Sequence, residues 1–466
     1  MEKQIDIVVI GAGLTGLSTA HFLNKKQASF VVLEQSNRVG GAIQTGQENG
    51  FIYEKGPSTG VMNNETVKEI FDDLHSYCSL EWASNAVNKR FILKNNRWYP
   101  LPDGILSGIT TPLFRWSDKI RLLGEPFRKA GNNPNETLTQ LVARRMGKSF
   151  LDYAVDPFVS GVYAGDTDYL IPRFALPKLY NLEQKYGSFI GGSVKMQLEK
   201  RKSKAPKAPK QPHRIFSAKG GLSHLINALM QSAGEDHFLL GVQDLRIVPT
   251  TNHSFEITGH LPQGEELHIK ANHVITTTGS SSLDSLLPFV EKHLMANITN
   301  MAYAKVVQVA IGFTHWDYKP LDGFGGLIPS KEKKQILGVL YPSAFLSDRA
   351  PQGGALLSVF LGGTRHPEVY DMDDETIFQL IESSLKEWYH MASFHPSLFR
   401  IFRYREAIPQ YGADCEARFT LLDRLHEQYP TLHIGGNLRG GIGMADRMKQ
   451  GKQLADEVIA SIGITF

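Results

Sequence analysis

The feature that most constrains this chain lies in its first 34 residues. Ile5 and the run Ile7-Val8-Val9-Ile10 form a short apolar segment rich in β-branched residues, the composition of a parallel strand buried on both faces. It runs into Gly11-Ala12-Gly13-Leu14-Thr15-Gly16, then a helical pattern of Leu17, Ala20, His21 and Leu23, then a second strand, Phe30-Val31-Val32-Leu33, ending in Glu34. The spacing predicts a complete βαβ unit, and with it an α/β fold. Gly11 allows the tight turn, Gly13 lets a pyrophosphate approach the backbone, and Gly16 lets the helix pack on the strand. The helix start offers free N–H groups and the positive end of a dipole. Glu34, about 20 residues on, can accept hydrogen bonds from a ribose hydroxyl. Gly11, Ala12, Gly13, Leu14, Thr15, Gly16 and Glu34 are therefore candidate dinucleotide ligands.

Composition narrows the partners. Of 466 residues, 42% are hydrophobic and 21% charged, as in a folded soluble protein, and the net charge of +3 gives no whole-molecule field for nucleic acid. No nucleic-acid partner is expected. Cys78 and Cys415 are too few for a disulfide framework or a cysteine zinc site, so no metal is expected and the compartment reads as reducing. Glu2, Lys3 and Asp6 stand where a signal peptide needs an apolar core, and no apolar run reaches the roughly 18 residues of a membrane span. A cytoplasmic location is expected.

After Glu34 come Gln35 and Arg38-Val39-Gly40-Gly41-Ala42, where glycines let the chain turn close to a cofactor and the arginine can reach phosphate. Many FAD enzymes of the amine-oxidase and disulfide-reductase type continue their first βαβ unit this way, which favours FAD over NAD. Farther on stand Glu54-Lys55-Gly56-Pro57-Ser58, Ser160-Gly161-Val162-Tyr163-Ala164-Gly165-Asp166 and Gly323-Phe324-Gly325-Gly326-Leu327-Ile328-Pro329. Near the end come Ala407-Ile408-Pro409-Gln410-Tyr411 and Gly435-Gly436-Asn437-Leu438-Arg439-Gly440-Gly441-Ile442-Gly443. In this order and spacing the chain resembles the protoporphyrinogen oxidases, oxygen-dependent FAD enzymes of haem synthesis, including bacterial relatives that prefer coproporphyrinogen III. The resemblance covers essentially the whole chain, and the 160–166 and 323–329 segments are its most specific part.

The resemblance implies a Rossmann-like FAD-binding domain of the amine-oxidase type, a mixed α+β substrate domain and a helical lobe. It implies that Gly56, Pro57, Ser58 and Thr59 line the flavin ring and that the Val242 backbone grips the adenine. Tyr404 stands where relatives often carry Trp. Gly436, Gly443, Met444, Ala445 and Asp446 resemble the loop and helix start that close on the flavin, where free backbone donors stabilise negative charge. Phe324 and Leu327 match positions that sandwich the macrocycle, and Gly161 one whose carbonyl meets the pyrrole N–H groups. Arg97 and Arg439 are the arginines open to propionates.

The FAD-binding domain is expected to be discontinuous, over 1–82, 213–278 and 425–466. The substrate domain takes 279–424, with Val306-Val307-Gln308-Val309-Ala310-Ile311 as a strand, and a helical, substrate-covering lobe takes 83–212. In the lobe the pattern reads as helix from Arg97, with Leu101, Ile105, Leu106, Ile109, Leu113, Phe114 and Trp116 clustered. Two readings stand open there: a helix packed on its own core, or an amphipathic surface helix touching the inner face of the cell membrane. Lys200, Arg201, Lys202, Lys204, Lys207 and Lys210, with Pro206 and Pro209 and no acid, read as an extended basic tether over 200–212, either a solvated linker or attracted to anionic lipid.

The implied reaction removes six electrons and six hydrogens from a porphyrinogen in three FAD cycles, with O₂ reduced to H₂O₂. The cofactor is the electron sink, so no catalytic acid or base is expected, only a wide apolar slot with a few polar groups. Protoporphyrinogen IX is the expected substrate, coproporphyrinogen III the alternative with the same chemistry, and hand-off to the next haem-pathway enzyme a further prospect. Two rivals share the fold: a flavin amine oxidase, which typically closes on the flavin with a glycine-glutamate pair where this chain has Gly436-Asn437, and a non-catalytic escort protein, which usually has a degraded FAD site.

Overall fold

A computed structural model describes residues 2–202, 214–251 and 253–463. The first strand, Glu2–Ile10, pairs in parallel with Phe30–Glu34 on one side and Glu266–Thr276 on the other. Its residues 7–10 are all buried, and the two-residue period of a strand divides them between two cores. Ile7 and Val9 pack with the helices Leu14–Lys25, Leu222–Ala233 and Met444–Ile462. Val8 packs on the opposite face with Lys292–Thr299 and Cys415–Gln428. An unbroken apolar run is thus what a strand covered on both sides requires, each fully buried side chain contributing about 1.5–3 kcal/mol.

This first sheet has seven strands. Phe238–Leu240 lies at one edge beside Phe30–Glu34, and Phe255–His260 with Gln243–Pro249 continue it antiparallel at the other. The long strand Glu266–Thr276 forks: its start pairs with Phe255–His260 and its last three residues with Leu432–Ile434. The C-terminal segment is thereby brought beside the glycine-rich turn. Two helices from the span expected to form the substrate domain, Lys292–Thr299 and Cys415–Gln428, share the core of this sheet.

The second sheet, also of seven strands, runs Leu398–Pro409, Tyr303–Phe313, Ala355–Gly362, Ile336–Leu340, Gly325–Leu327, Arg90–Lys94, Arg97–Pro100. One face carries a core with the helix Asp374–Tyr389. The helix expected from Arg97 is corrected here, because Arg97–Pro100 is a strand. Asn95 and Asn96 both take positive φ, a two-residue left-handed turn that folds it back on Arg90–Lys94 as a hairpin. Helix begins at Ile105–Thr110 and continues through Trp116–Leu123, Leu138–Arg145, Asp156–Tyr163, Pro177–Tyr186 and Phe189–Lys202.

The backbone of Lys200–Lys202 belongs to that last helix, which corrects the start of the expected tether; residues 203–213 lie outside the described residues. Inside the lobe Arg145 and Glu125 form a 2.8 Å ion pair with both side chains fully buried. Glu125 also accepts from Ser188 Oγ and from the backbone N–H of Phe189, so the charge is not stranded.

Candidate cofactor and substrate site

Cofactor candidates gather at the C-terminal edge of the parallel strands. Gly11 takes φ +98° and donates its N–H to Leu33. A Cβ on Gly16 would stand 1.9 Å from the Gly11 carbonyl, so the helix can approach the turn this closely only without one. A Cβ on Gly13 would meet nothing within 4 Å, and Gly13 caps the Leu14–Lys25 helix without any side-chain bond, so no side chain caps the helix start. Ala12, Leu14 and Thr15 are buried around the turn. Glu34 Oε2 accepts from Ala12 N–H at 2.7 Å and Oε1 from Ser36 N–H at 2.8 Å, which pins the carboxylate beside the loop.

Two further turns join the first. A Cβ on Gly41 would lie 3.4 Å from Gly13 Cα, so the 40–42 turn stands over the glycine loop. Arg38 donates to the carbonyls of Gly41 and Val39 at 2.7 and 3.2 Å; its guanidinium holds that turn, where phosphate contact is expected from sequence. Gly56, at φ +123°, packs against the Ala42 carbonyl, 2.3 Å from where its Cβ would stand. Pro57 and Thr59 flank Ser58, whose buried Oγ has no hydrogen-bond partner among the described residues. Val242 is buried and donates its N–H to the Glu34 carbonyl at 3.0 Å, next to Gly241, which bonds Ser36. Gln35 is exposed and bonded to Gln243.

The chain's end closes the group. Gly436 lies against the Thr277 carbonyl, and Thr277 Oγ1 donates to the Gly11 carbonyl at 3.1 Å. Gly443 caps the C-terminal helix, which starts at Met444, and receives Asp446 Oδ2 on its N–H at 3.3 Å. Met444 and Ala445 are buried, and Asn64 Nδ2 donates to the Ala445 carbonyl, tying the helix start to the chain after Ser58. Beside these turns Tyr404, Arg38, Gly41, Ala42, Lys55 and Arg403 line a cleft of about 480 Å³. Burial pushes the Tyr404 phenol up to about 12, so its hydroxyl is neutral there.

Open space over Gly13, an uncapped helix start, an anchored acidic side chain and an orphaned buried hydroxyl together fit a dinucleotide carrying a polar ring system. No group of three or more metal-ligating side chains suited to a metal ion occurs among the described residues, and none of their helices is long and apolar enough to cross a membrane.

On the substrate side the structure joins Gly161 and Leu327, 166 positions apart. A Cβ on Gly161 would stand 2.4 Å from Leu327 Cδ2. Phe324 packs on Phe345 with ring centroids 4.9 Å apart, and the Arg90 guanidinium lies 5.5 Å from the Phe324 ring centre. Asp156 and Asp166, at either end of the segment around Gly161, are clamped by Arg365, which bonds Asp166 at 2.7 Å.

Two functional candidates escape the sequence reading. Gln308, buried in the second sheet, accepts from Gly56 N–H at 2.7 Å and donates to the Glu54 carbonyl at 2.9 Å, fastening the 54–58 segment to the other sheet. Its signal is a lone amide in an apolar strand. Arg90 forms no ion pair among the described residues, whereas Arg439 pairs with Asp423 and Arg97 lies exposed on the hairpin. The parallel pairing of Arg90–Lys94 with Gly325–Leu327, in which Gly325 lies opposite Arg90, puts Arg90 beside Phe324.

Residues 14–459 match the model of the family described as flavin containing amine oxidoreductase. A mitochondrial protoporphyrinogen oxidase of Nicotiana tabacum is 28% identical, over 97% of this chain and 94% of its own length. A coproporphyrinogen III oxidase of Bacillus subtilis is 26% identical, over 97% of each. A solved structure from Exiguobacterium sp. 255-15, provisionally named protoporphyrinogen oxidase, covers 98% of this chain and 99% of its own at a TM-score of 0.79 and 20% identity, a likeness of fold.

Proposed function

The chain belongs to the flavin-containing amine oxidoreductase family, an oxidoreductase with FAD as its cofactor, and from that premise we propose that it oxidises protoporphyrinogen IX to protoporphyrin IX in haem biosynthesis. Three O₂ accept the six electrons and six hydrogens, giving three H₂O₂. The same chemistry on coproporphyrinogen III is the alternative. The observation that carries this reading is the seating of Gly161 on Leu327, which unites the two segments most specific to the porphyrinogen oxidases.

Bound FAD supplies a two-electron acceptor. The chain's own residues bind and orient. Glu34 would hold the adenosine ribose, the start of the Leu14–Lys25 helix the pyrophosphate, the Val242 backbone the adenine, and Ser58 with the 436–446 segment the ring. Leu327 and Phe324 would flank a flat macrocycle and exclude water, while glycine at 161 makes room for the Leu327 side chain. Arg90 would meet a propionate at the edge of that slot.

The test is aerobic mixing of flavin-loaded protein with each porphyrinogen while porphyrin fluorescence is followed. Enzyme-dependent fluorescence is expected, and its absence with both substrates rejects the proposal. A colourless purified protein would favour the escort reading; amine-dependent H₂O₂ without porphyrin would favour the amine oxidase.

A peripheral membrane contact on the cytoplasmic side is the second reading, favoured by exposed apolar side chains on the lobe. Trp116, Ile120, Leu123 and Phe127 follow helical spacing and are 65%, 66%, 78% and 90% exposed, with Arg115 just before them and Lys119 and Arg121 between them. The buried Arg145–Glu125 pair fixes the turn carrying Phe127. Cosedimentation with anionic vesicles checks this: Leu123→Glu with Phe127→Glu should abolish vesicle binding and leave the melting temperature unchanged. Equal sedimentation of both proteins contradicts it.

A further inference from the structure

The second sheet runs its 12-residue strand Leu398–Pro409 straight into Gln410 and Tyr411, two buried polar residues that neither the cofactor nor the macrocycle assignment uses. Gln410 is fully buried. Its backbone N–H donates to Ala302, and its Nε2 donates to the carbonyls of Tyr163 and Ile408 at 2.9 and 3.0 Å. Its Oε1 has no partner among the described residues and stands 2.5 Å from where a Cβ on Gly165 would be. Tyr163 closes the Asp156–Tyr163 helix, which carries Gly161.

Tyr411 packs with Val159 and Tyr163 of that helix in one buried cluster. Its carbonyl accepts from Ile171 N–H at 3.0 Å, while its hydroxyl reaches the carbonyls of Asn437 at 3.3 Å and Gly441 at 3.4 Å. Those carbonyls belong to the loop between Leu432–Ile434 and the C-terminal helix. One proton shared between two carbonyls, both beyond the usual O–H···O length, leaves room for the contact to shorten toward either. Burial pushes the phenol up to about 12, so the hydroxyl stays a donor.

We infer that Gln410 and Tyr411 are positioning residues, a two-residue brace that fixes the spacing between the substrate-side helix and the 437–441 loop. The two sets of bonds leave adjacent residues just past the end of one strand, so displacement of either partner is transmitted through a single peptide unit. The inference rests on the proposed function for what that spacing serves: holding the macrocycle at a set distance from the ring closed over by 436–446. Misplacement by a fraction of an ångström is costly in such geometry.

The experiment compares Gln410→Leu, Tyr411→Phe and the double variant as flavin-loaded proteins. Each single variant should lower kcat by about 10- to 100-fold, with KM within about twofold because the residues touch no substrate. The double variant should be no worse than the poorer single one, since each change breaks the same brace. Backbone hydrogen exchange supplies the second readout. Gln410→Leu should speed exchange at 437–443 as well as near 163, and Tyr411→Phe near 163 as well as at 437–443. Unchanged kcat in both, additive losses, or faster exchange confined to each residue's own neighbours would overturn the brace. If wild-type protein oxidises neither porphyrinogen, the substrate reading fails and the exchange pattern still decides the brace. Should Gln410→Leu not fold, Gln410→Glu keeps the volume and loses the amide donor.

Discussion

Single side chains divide between those whose identity is dictated by contact and those free to act. Gly16 belongs to the first kind, because the Gly11 backbone carbonyl occupies the space of a methyl group; at Gly161 that space is taken by the movable end of the Leu327 side chain. Arg90 belongs to the second. Its guanidinium rests over Phe324 with no carboxylate bound among the described residues, which leaves its charge open to an anionic group. Arg90→Ala should raise KM for a porphyrinogen by about tenfold while kcat changes by less than about threefold, the pattern of lost uniform binding. Steady-state kinetics check it; a fall in kcat at unchanged KM would place Arg90 elsewhere in the chemistry. Sequence could not single out Arg90 among the chain's basic residues, because its value comes from a ring 234 positions away.

Among the elements, the short strand Leu432–Ile434 carries a titration of its own. His433 is buried between His273 and His426, with ring centres 6.1 and 5.6 Å away, and faces Glu457 at 3.7 Å. Burial, then the two neighbouring imidazoles, push it down from 6.5 to about 4. The unfolded chain therefore binds this proton first, so stability is lost as pH falls from about 6.5 towards 4, by up to about 3 kcal/mol. Glu54 acts with the opposite sign. Burial raises its carboxyl from 4.5 to about 7, so its part of the stability is lost as pH rises through that window. The two groups oppose each other over this range, and the difference between wild type and His433→Gln isolates His433. Urea melts from pH 7 to 4 should show the variant losing less stability; parallel curves would contradict a neutral buried His433. The hairpin was illegible for a related reason: Arg97–Pro100 has too few residues to show a period, and only the left-handed Asn95-Asn96 turn marks it.

At the scale of the molecule, a seam runs between the second seven-stranded sheet and the 54–56 segment, which packs on the turn at Ala42. Gln308 spans that seam with two buried bonds to the 54–56 backbone. Gln308→Leu would leave the Gly56 N–H and the Glu54 carbonyl unpaired, at about 1–3 kcal/mol for each group. The expected outcome is a lower melting temperature and a lower flavin-to-protein ratio after dialysis, and an unchanged ratio would detach Gln308 from the cofactor side.

By itself the sequence determined the βαβ start, the glycines around its turn, the acid at its second strand and the motifs shared with porphyrinogen oxidases. These are local: a period of two, a period of 3.6 and residues without a Cβ are written in neighbouring positions. Only the tertiary structure decided that Gly161 meets Leu327, that Arg90 stands on Phe324, that Gln308 bridges to Gly56 and that Cys415–Gln428 packs on the first sheet. Those pairings join residues scores to hundreds of positions apart, and their energy depends on which faces the two sheets present to each other, a quantity no short window of sequence contains.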